Sequence, residues 1–258
     1  MTQPLALNIL EQELEEGVSY CQQEGLGVEI TTFAFPYGQR DLDKQIERHA
    51  AAVERVEWAS FHGPFLDLYV TSPDPEIVAL CQRRHRVALQ AACEIGAKRY
   101  VAHLNSISLI RNVSYRDRFA RAAAEFWVPF ADEAGKHGIT IVLENLWEPG
   151  PELHKQVIEQ ANHPHLKASF DNGHALVFSQ RPASEWIEVL GSDLGHCHLH
   201  DNDGTYDQHL AIGAGTEDWP LLLKALETHA EDAVIVLESD DLEINKESLS
   251  TLRGLSKR

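Results

Sequence analysis

From His196 to His209 the chain reads His-Cys-His-Leu-His-Asp-Asn-Asp-Gly-Thr-Tyr-Asp-Gln-His, four histidines and four aspartates or asparagines in one short stretch. Imidazole and carboxylate at this density are the donor set of a divalent cation. The stretch opens as a strand, and strand alternation puts His196, His198 and His200 on one face, with Cys197 and Leu199 on the other. Gly204 breaks it. Asp207 and His209 follow two apart in the loop, where both can turn toward one centre. A solvated polar loop has the same composition, so the rest of the chain must decide between the two.

The elements that would position these side chains follow from the hydrophobic pattern. Strands are expected near residues 5–9, 26–32, 56–62, 99–103, 139–143, 166–170, 194–199 and 233–237. Helices are expected over 11–23, 41–56 (with Asp41 as N-cap), 75–95, 115–136, 151–160, 184–190, 219–229 and 246–252. Eight strands alternating with helices, with no low-complexity linker, predict an α/β protein with a single (β/α)8 TIM-barrel domain over residues 1–258. An open doubly wound sheet is disfavoured, because no glycine-rich dinucleotide fingerprint follows the first strand; no nucleotide cofactor is expected.

A barrel builds its site where strands end and βα loops begin. At the ends of the expected strands, within one residue of the last, stand His62, His103, Glu144, Asp171, His198 and Glu238. Each alone has a plain explanation: a turn at Gly63-Pro64, a polar loop start at Glu144, a helix N-cap at Asp171. All six at one end of the barrel point to a common cause, because several carboxylates buried together need cations. His174, three residues after Asp171, can swing back to the same centre. With Asp207 and His209 the candidates number nine, enough for two or three ions if a carboxylate bridges. His196 is expected deeper in the strand, and His200 as a contact to ligand residues or substrate. His49, His85, His137, His154, His163, His165 and His229 are read as structural or surface residues. Trp147, Trp219, Phe65 and Tyr69 could wall a pocket, and Arg40, Arg111 and Arg181, in βα connections, form no evident phosphate clamp.

Composition narrows the partners. The 258 residues carry 43% apolar and 24% charged side chains, an ordinary globular balance, and a formal net charge of −18. That sign repels polyanions, so nucleic acid is not an expected partner. The basic runs Arg83-Arg84-His85-Arg86 and Arg116 to Arg121 lie in helical patterns and read as solvated helix faces. The four scattered cysteines show no metal-ribbon spacing. They suit a reducing cytoplasm, and no membrane span or signal segment is expected.

These motifs together carry a resemblance. Phe61-His-Gly-Pro, Ala102-His-Leu-Asn-Ser106, Leu143-Glu-Asn145, Phe170-Asp-Asn-Gly-His174, His198-Leu-His-Asp201, Asp207-Gln-His-Leu-Ala-Ile-Gly213 and Leu237-Glu238 resemble the xylose isomerase-like barrel superfamily. That superfamily holds sugar isomerases and epimerases and endonuclease IV. Its ketose 3-epimerase branch implies one divalent cation, zinc or manganese, on Glu144, Asp171, His198 and Glu238. The two glutamates would be the catalytic acid/base pair and the cation would polarise a carbonyl. His62, His103, His174, His200 and Trp147 would then contact a small sugar or sugar phosphate.

Endonuclease IV instead implies three zinc ions, with His62, His103, His174, Asp207 and His209 added as ligands and phosphoester hydrolysis by a metal-bound hydroxide. The arginine that the epimerase branch commonly places shortly after the seventh-strand histidine is absent here, where Asp201-Asn-Asp-Gly-Thr-Tyr follows. A non-catalytic sugar-binding barrel is a third reading, and it predicts gaps in the acid/base set that the sequence does not have. An isomerase or epimerase of a small sugar-like substrate is the first expectation, because an acidic protein suits a small ligand. A homo-oligomer is compatible with this reading.

Overall fold

The expected alternation closes on itself. In the computed structural model, which describes residues 3–34, 41–110 and 112–255, eight parallel strands pair in chain order and β8 pairs back onto β1. The strands are β1 (Leu5–Ile9), β2 (Gly27–Ile30), β3 (Ala59–His62), β4 (Arg99–His103), β5 (Thr140–Glu144), β6 (Leu166–Asp171), β7 (Leu194–Leu199) and β8 (Val234–Leu237). Around them run α1 (Leu14–Glu24), α2 (Leu42–Val53), α3 (Pro75–Ile95), α4 (Val113–Lys136), α5 (Glu152–Ala161), α6 (Asn172–Phe178), α7 (Ala183–Leu190), α8 (Trp219–His229) and α9 (Leu242–Leu255).

Local chemistry sets the ends of the helices. Asp74 accepts from the Glu76 amide at the start of α3, with Pro75 in the first turn, and Gly96 closes that helix in the left-handed region (φ 86). Asn112 and Asp218 cap α4 and α8 in the same way. Asp41 does precede α2, but it is left-handed (φ 59) and makes no side-chain cap. An N-cap needs extended backbone to aim its oxygen at the first amides. The expected helix over 11–23 begins instead as a 3-10 turn, and the last helix starts four residues earlier than expected.

The main apolar core lies between barrel and helices. Alternate strand residues such as Phe61, Tyr100, Leu143, Phe170, Cys197 and Leu237 face outward into it. Phe61 stacks between Phe33 and Tyr100, and Phe170 stacks on Trp186. The other alternate residues face the barrel axis, and there Glu29, Ser60, Ser169 and His196 are fully buried where branched apolar side chains are usual. The register keeps His103 opposite Glu144, and a shift between Ala168 and Ser169 brings Asp171 opposite His198. The described cysteines are free, and no helix among the described residues is long and apolar enough to cross a membrane.

His85 departs from the solvated face expected of its basic run. It is buried in a cage of Phe126, Trp127 and Phe130, with Nδ1 2.9 Å from the Tyr100 hydroxyl. Burial pushes its pKa down to about 3. The ring stays neutral in the fold while the unfolded chain protonates near 6.5, so stability is complete above that value and is lost as pH falls toward 3. At pH 5 the loss is about 2 kcal/mol, at about 1.4 kcal/mol per pH unit. Urea unfolding at pH 7 and pH 5 is expected to show a drop larger by that amount in wild type than in His85→Leu, since other groups titrate in both. Equal drops in the two proteins would count against a neutral buried His85.

Candidate metal centre

Four strands end on donor side chains: His62 on β3, His103 on β4, Glu144 on β5 and Asp171 on β6. His198 is the penultimate residue of β7, and Glu238 follows β8 directly. All but Glu238 are buried. The expected common end is therefore realised, and three clusters form there.

In the first cluster His62 Nε2, His103 Nε2 and Glu144 Oε2 make a triangle with sides of 3.4, 3.4 and 3.6 Å. Tetrahedral zinc with ligand bonds near 2.0–2.1 Å sets its donors about 3.3–3.4 Å apart, so the triangle fits one ion. His62 Nδ1 donates to the Gly63 carbonyl at 2.9 Å, which leaves Nε2 as the lone pair facing the cluster. Phe65 stacks on His103 with ring centres 4.4 Å apart and closes its apolar side.

The second cluster uses the other oxygen of the same carboxylate. Glu144 Oε1 is 3.3 Å from His198 Nδ1, Asp171 Oδ2 is 3.8 Å from it, and Glu238 Oε2 is 3.1 Å from it. Glu144, Asp171 and His198 converge as one donor set, whereas Glu238 groups with His200 and His209. Glu238 thus reaches the shared histidine without joining the other two carboxylates.

In the third cluster Asp207 Oδ2 lies between His174 Nε2 at 3.2 Å and His209 Nε2 at 3.0 Å. His174 Nδ1 donates to the Asn145 carbonyl, fixing which nitrogen faces Asp207. His209 is held left-handed (φ 50), which turns its ring back toward His200 and Glu238.

These groups fit divalent cations. Buried polar atoms are costly when unpaired, and His198 Nδ1, Glu144 Oε2, Asp207 Oδ1 and His209 Nδ1 have no hydrogen-bond partner among the described residues. Among the described residues every ion pair to Glu144, Asp171, Asp207 and Glu238 comes from histidine, none from lysine or arginine.

The electrostatics is divided between the two glutamates. Burial raises Glu238 above the usual carboxylate range. Burial works the same way on Glu144, but His103 and His198 beside it outweigh that and hold it well below the range. Burial also opposes ionisation of Asp171, yet His174 and His200 bring it to about 2. Burial pushes His103 down to about 3, with His62, His174 and His198 working against the pull of Glu144.

A supporting layer fixes the donors. Asp171 Oδ1 accepts from the His174 amide at 2.6 Å, the cap expected of this aspartate, while Oδ2 is the oxygen that faces His198. The Asn145 side chain both accepts from the Asp171 amide and donates to its carbonyl. His200 Nε2 meets Asp171 Oδ2 at 3.2 Å, and its ring lies so close to Gly173 that a Cβ there would come within 1.9 Å. His196, two residues earlier on β7 than His198, is fully buried.

Two further residues escaped the sequence reading. Asp201 accepts from the amides of Asn202, Gly213 and Glu217 and from the Trp219 indole, tying down the loop that carries Asp207 and His209. Trp219 is therefore a buried anchor and not a pocket wall. The other is Glu29, fully buried on β2, whose carboxylate meets His198 Nε2 at 2.6 Å and His196 Nε2 at 3.1 Å. A charged residue inside a parallel strand buried on both faces was the available signal. Trp147 and Tyr69 stand half-exposed. Arg181 pairs with Glu152 and Glu185 on the surface, and Arg40 and Arg111 lie outside the described residues.

Known proteins of this shape share the arrangement of the fold. A D-tagatose 3-epimerase-like protein superimposes with a TM-score of 0.81 at 24% identity, covering 98% of this chain and 97% of that one. D-psicose 3-epimerase from Clostridium cellulolyticum does so at 0.76 and 17%, covering 98% and 99%. The TTHB071 protein of Thermus thermophilus, in a crystal soaked with zinc chloride, gives 0.80 at 31% identity and covers 100% of this chain and 98% of that one. In sequence, the uncharacterized protein MJ1311 of Methanocaldococcus jannaschii is 28% identical over 191 residues, a span of 70% of this chain but 64% of that protein. The xylose isomerase-like TIM barrel model matches residues 2–255, nearly the whole chain. With donors at the ends of β3 to β7 and just after β8 on a closed eight-stranded barrel, and with that match, this chain is a member of the xylose isomerase-like TIM-barrel family.

Proposed function

We propose that this protein is a divalent-metal-dependent isomerase or epimerase acting on a small sugar or sugar phosphate, with Glu144, Asp171, His198 and Glu238 holding the ion. The carrying observation is the convergence of Glu144 Oε1 and Asp171 Oδ2 on His198 Nδ1, with Glu238 Oε2 3.1 Å from that nitrogen. A bound divalent cation supplies Lewis acidity, which makes the C–H beside a polarised carbonyl more acidic.

The protein's own residues do the rest. Glu144, held ionised by its histidines, takes the carbon-bound proton on a carboxylate oxygen. Glu238, just after β8, returns a proton from its carboxyl group. His62, His103, His174 and His200 offer ring nitrogens to substrate hydroxyls, Phe65 backs His103, and the exposed Trp147, three residues after Glu144, offers an indole face. The names of the 3-epimerase neighbours support a sugar-like substrate, and so does the net charge of −18, which disfavours polyanions.

A second reading, a trinuclear zinc phosphoesterase, is favoured by one feature. Glu144 turns one oxygen to the His62–His103 pair and the other to His198, as a bridging carboxylate would. Two assays on metal-loaded protein separate the readings: exchange of a carbon-bound proton of ketoses with deuterated water, and phosphate release from small esters. The sugar reading expects exchange, and Asp207→Asn retains it within a few-fold. The phosphoesterase reading expects phosphate release, lowered about 10- to 100-fold in Asp207→Asn by loss of a site member. Ester hydrolysis with no exchange on any ketose would sink the first reading.

A further inference from the structure

Glu29 carries its charge in the barrel interior, fully shielded from solvent. Its two oxygens are divided. Oε1 meets His198 Nε2 at 2.6 Å. Oε2 accepts from the Ser60 hydroxyl at 2.6 Å and meets His196 Nε2 at 3.1 Å, and His196 Nδ1 continues to Ser169 Oγ at 2.8 Å. All five side chains are fully buried.

Glu29, His196 and His198 come near enough to be taken for a further ion site. The 2.6 Å contact speaks against that. Donors sharing a tetrahedral zinc ion stand about 3.3–3.4 Å apart, while about 2.7–2.9 Å or less is the range of a charge-assisted hydrogen bond. The separations around Glu144 match the first spacing and the Glu29–His198 contact matches the second.

An ionised carboxylate can only accept, so each group facing Glu29 must present a hydrogen. For His198 that places the proton on Nε2. The opposite nitrogen, Nδ1, has no hydrogen-bond partner among the described residues and faces Glu144, Asp171 and Glu238. We infer that Glu29 is a positioning residue of the metal centre, locking the tautomer and ring angle of His198 so that Nδ1 is its ligand atom. A carboxylate behind a ligating histidine also makes that ring a stronger donor. Ser60 and His196 hold the carboxylate in turn. This role presupposes the metal-dependent reading above; Glu29 itself touches neither ion nor substrate.

Glu29→Gln is the informative change. The amide oxygen can still accept from His198, and its NH2 can face Ser60 and His196, both able to accept. The fold is kept and the charge is lost. Zinc affinity, measured by competition with a chromophoric chelator, is expected to fall about 10- to 100-fold, and the visible spectrum of the cobalt-substituted protein is expected to change. Ser60→Ala, which leaves Oε1 and His198 alone, is expected to stay within about 3-fold of wild type, well short of that loss. In zinc-loaded wild type with ring-labelled histidine, nitrogen NMR is expected to show His198 protonated at Nε2.

Wild-type affinity and an unchanged cobalt spectrum in Glu29→Gln overturn the role, as does a zinc-loaded His198 carrying its proton on Nδ1. If Glu29→Gln does not fold, the wild-type tautomer alone decides. If wild type takes up no zinc, the metal reading falls and this role with it. Zinc uptake unaffected by the substitution removes only the role of Glu29.

Discussion

Glu144→Gln is expected to leave the barrel folded and to lower turnover by about 100- to 10,000-fold, the range of a lost general acid or base. The side chain ends β5, where its backbone is paired with His103 on one side and Ser169 on the other. Glutamine has the same shape, so urea midpoint and circular dichroism should change little. The chemistry changes completely. Among the described residues Glu144 Oε2 has no hydrogen-bond partner and faces His62 and His103, while Oε1 faces His198 and His174. An amide supplies one oxygen and no charge to a place that uses both oxygens of an anion. Metal content per chain should fall together with exchange of the carbon-bound proton. A variant with wild-type metal content and wild-type exchange would remove Glu144 from the mechanism.

Metal loading is expected to have the largest effect on stability. The carboxylates packed at the mouth of the barrel repel one another, and donor atoms beside them lack partners among the described residues unless a cation joins them. An ion that binds only the folded state adds about 4 kcal/mol when present at a thousand times its dissociation constant. For a chain of this size, at about 2–4 °C per kcal/mol, the melting temperature of chelator-stripped protein should rise by about 10 °C on adding zinc or manganese, and fall again with chelator. Elemental mass spectrometry of the reloaded protein gives the number of ions. One per chain supports the single centre on His198. Two or three support the bridging role of Glu144 and the phosphoesterase. No uptake and no change in melting temperature would overturn the central reading of the site.

Much of this was legible in the chain because a (β/α)8 barrel converts sequence position into spatial position. Once eight strands are recognised, the residues ending them are neighbours whatever their separation, and His62, His103, Glu144 and Asp171 were found that way. The period of two along β7 separated His196 and His198 from Cys197 without coordinates. For Asp171 the sequence offers both a helix cap and a place among the donors; one oxygen caps α6 and the other faces His198. His85 could not be read, because a basic run names no partners and only the packing of α3 against α4 supplies the aromatic cage.

By itself, then, the sequence determined the barrel, the end at which the histidines and carboxylates gather and their residue types, since these follow from periodicity and residue identity. The tertiary structure alone decided which donor atoms meet. That Glu144 divides its oxygens between two clusters, that Glu238 turns toward His200 and His209, and that Glu29 stands behind His198 across 169 residues all depend on closure of the sheet. Closure brings β2 and β7 around a common axis, and rotamers and hydrogen bonds inside that axis choose the facing nitrogen of each ring. No local pattern encodes that choice, because it is made by contacts between residues that are neighbours only after the barrel has formed.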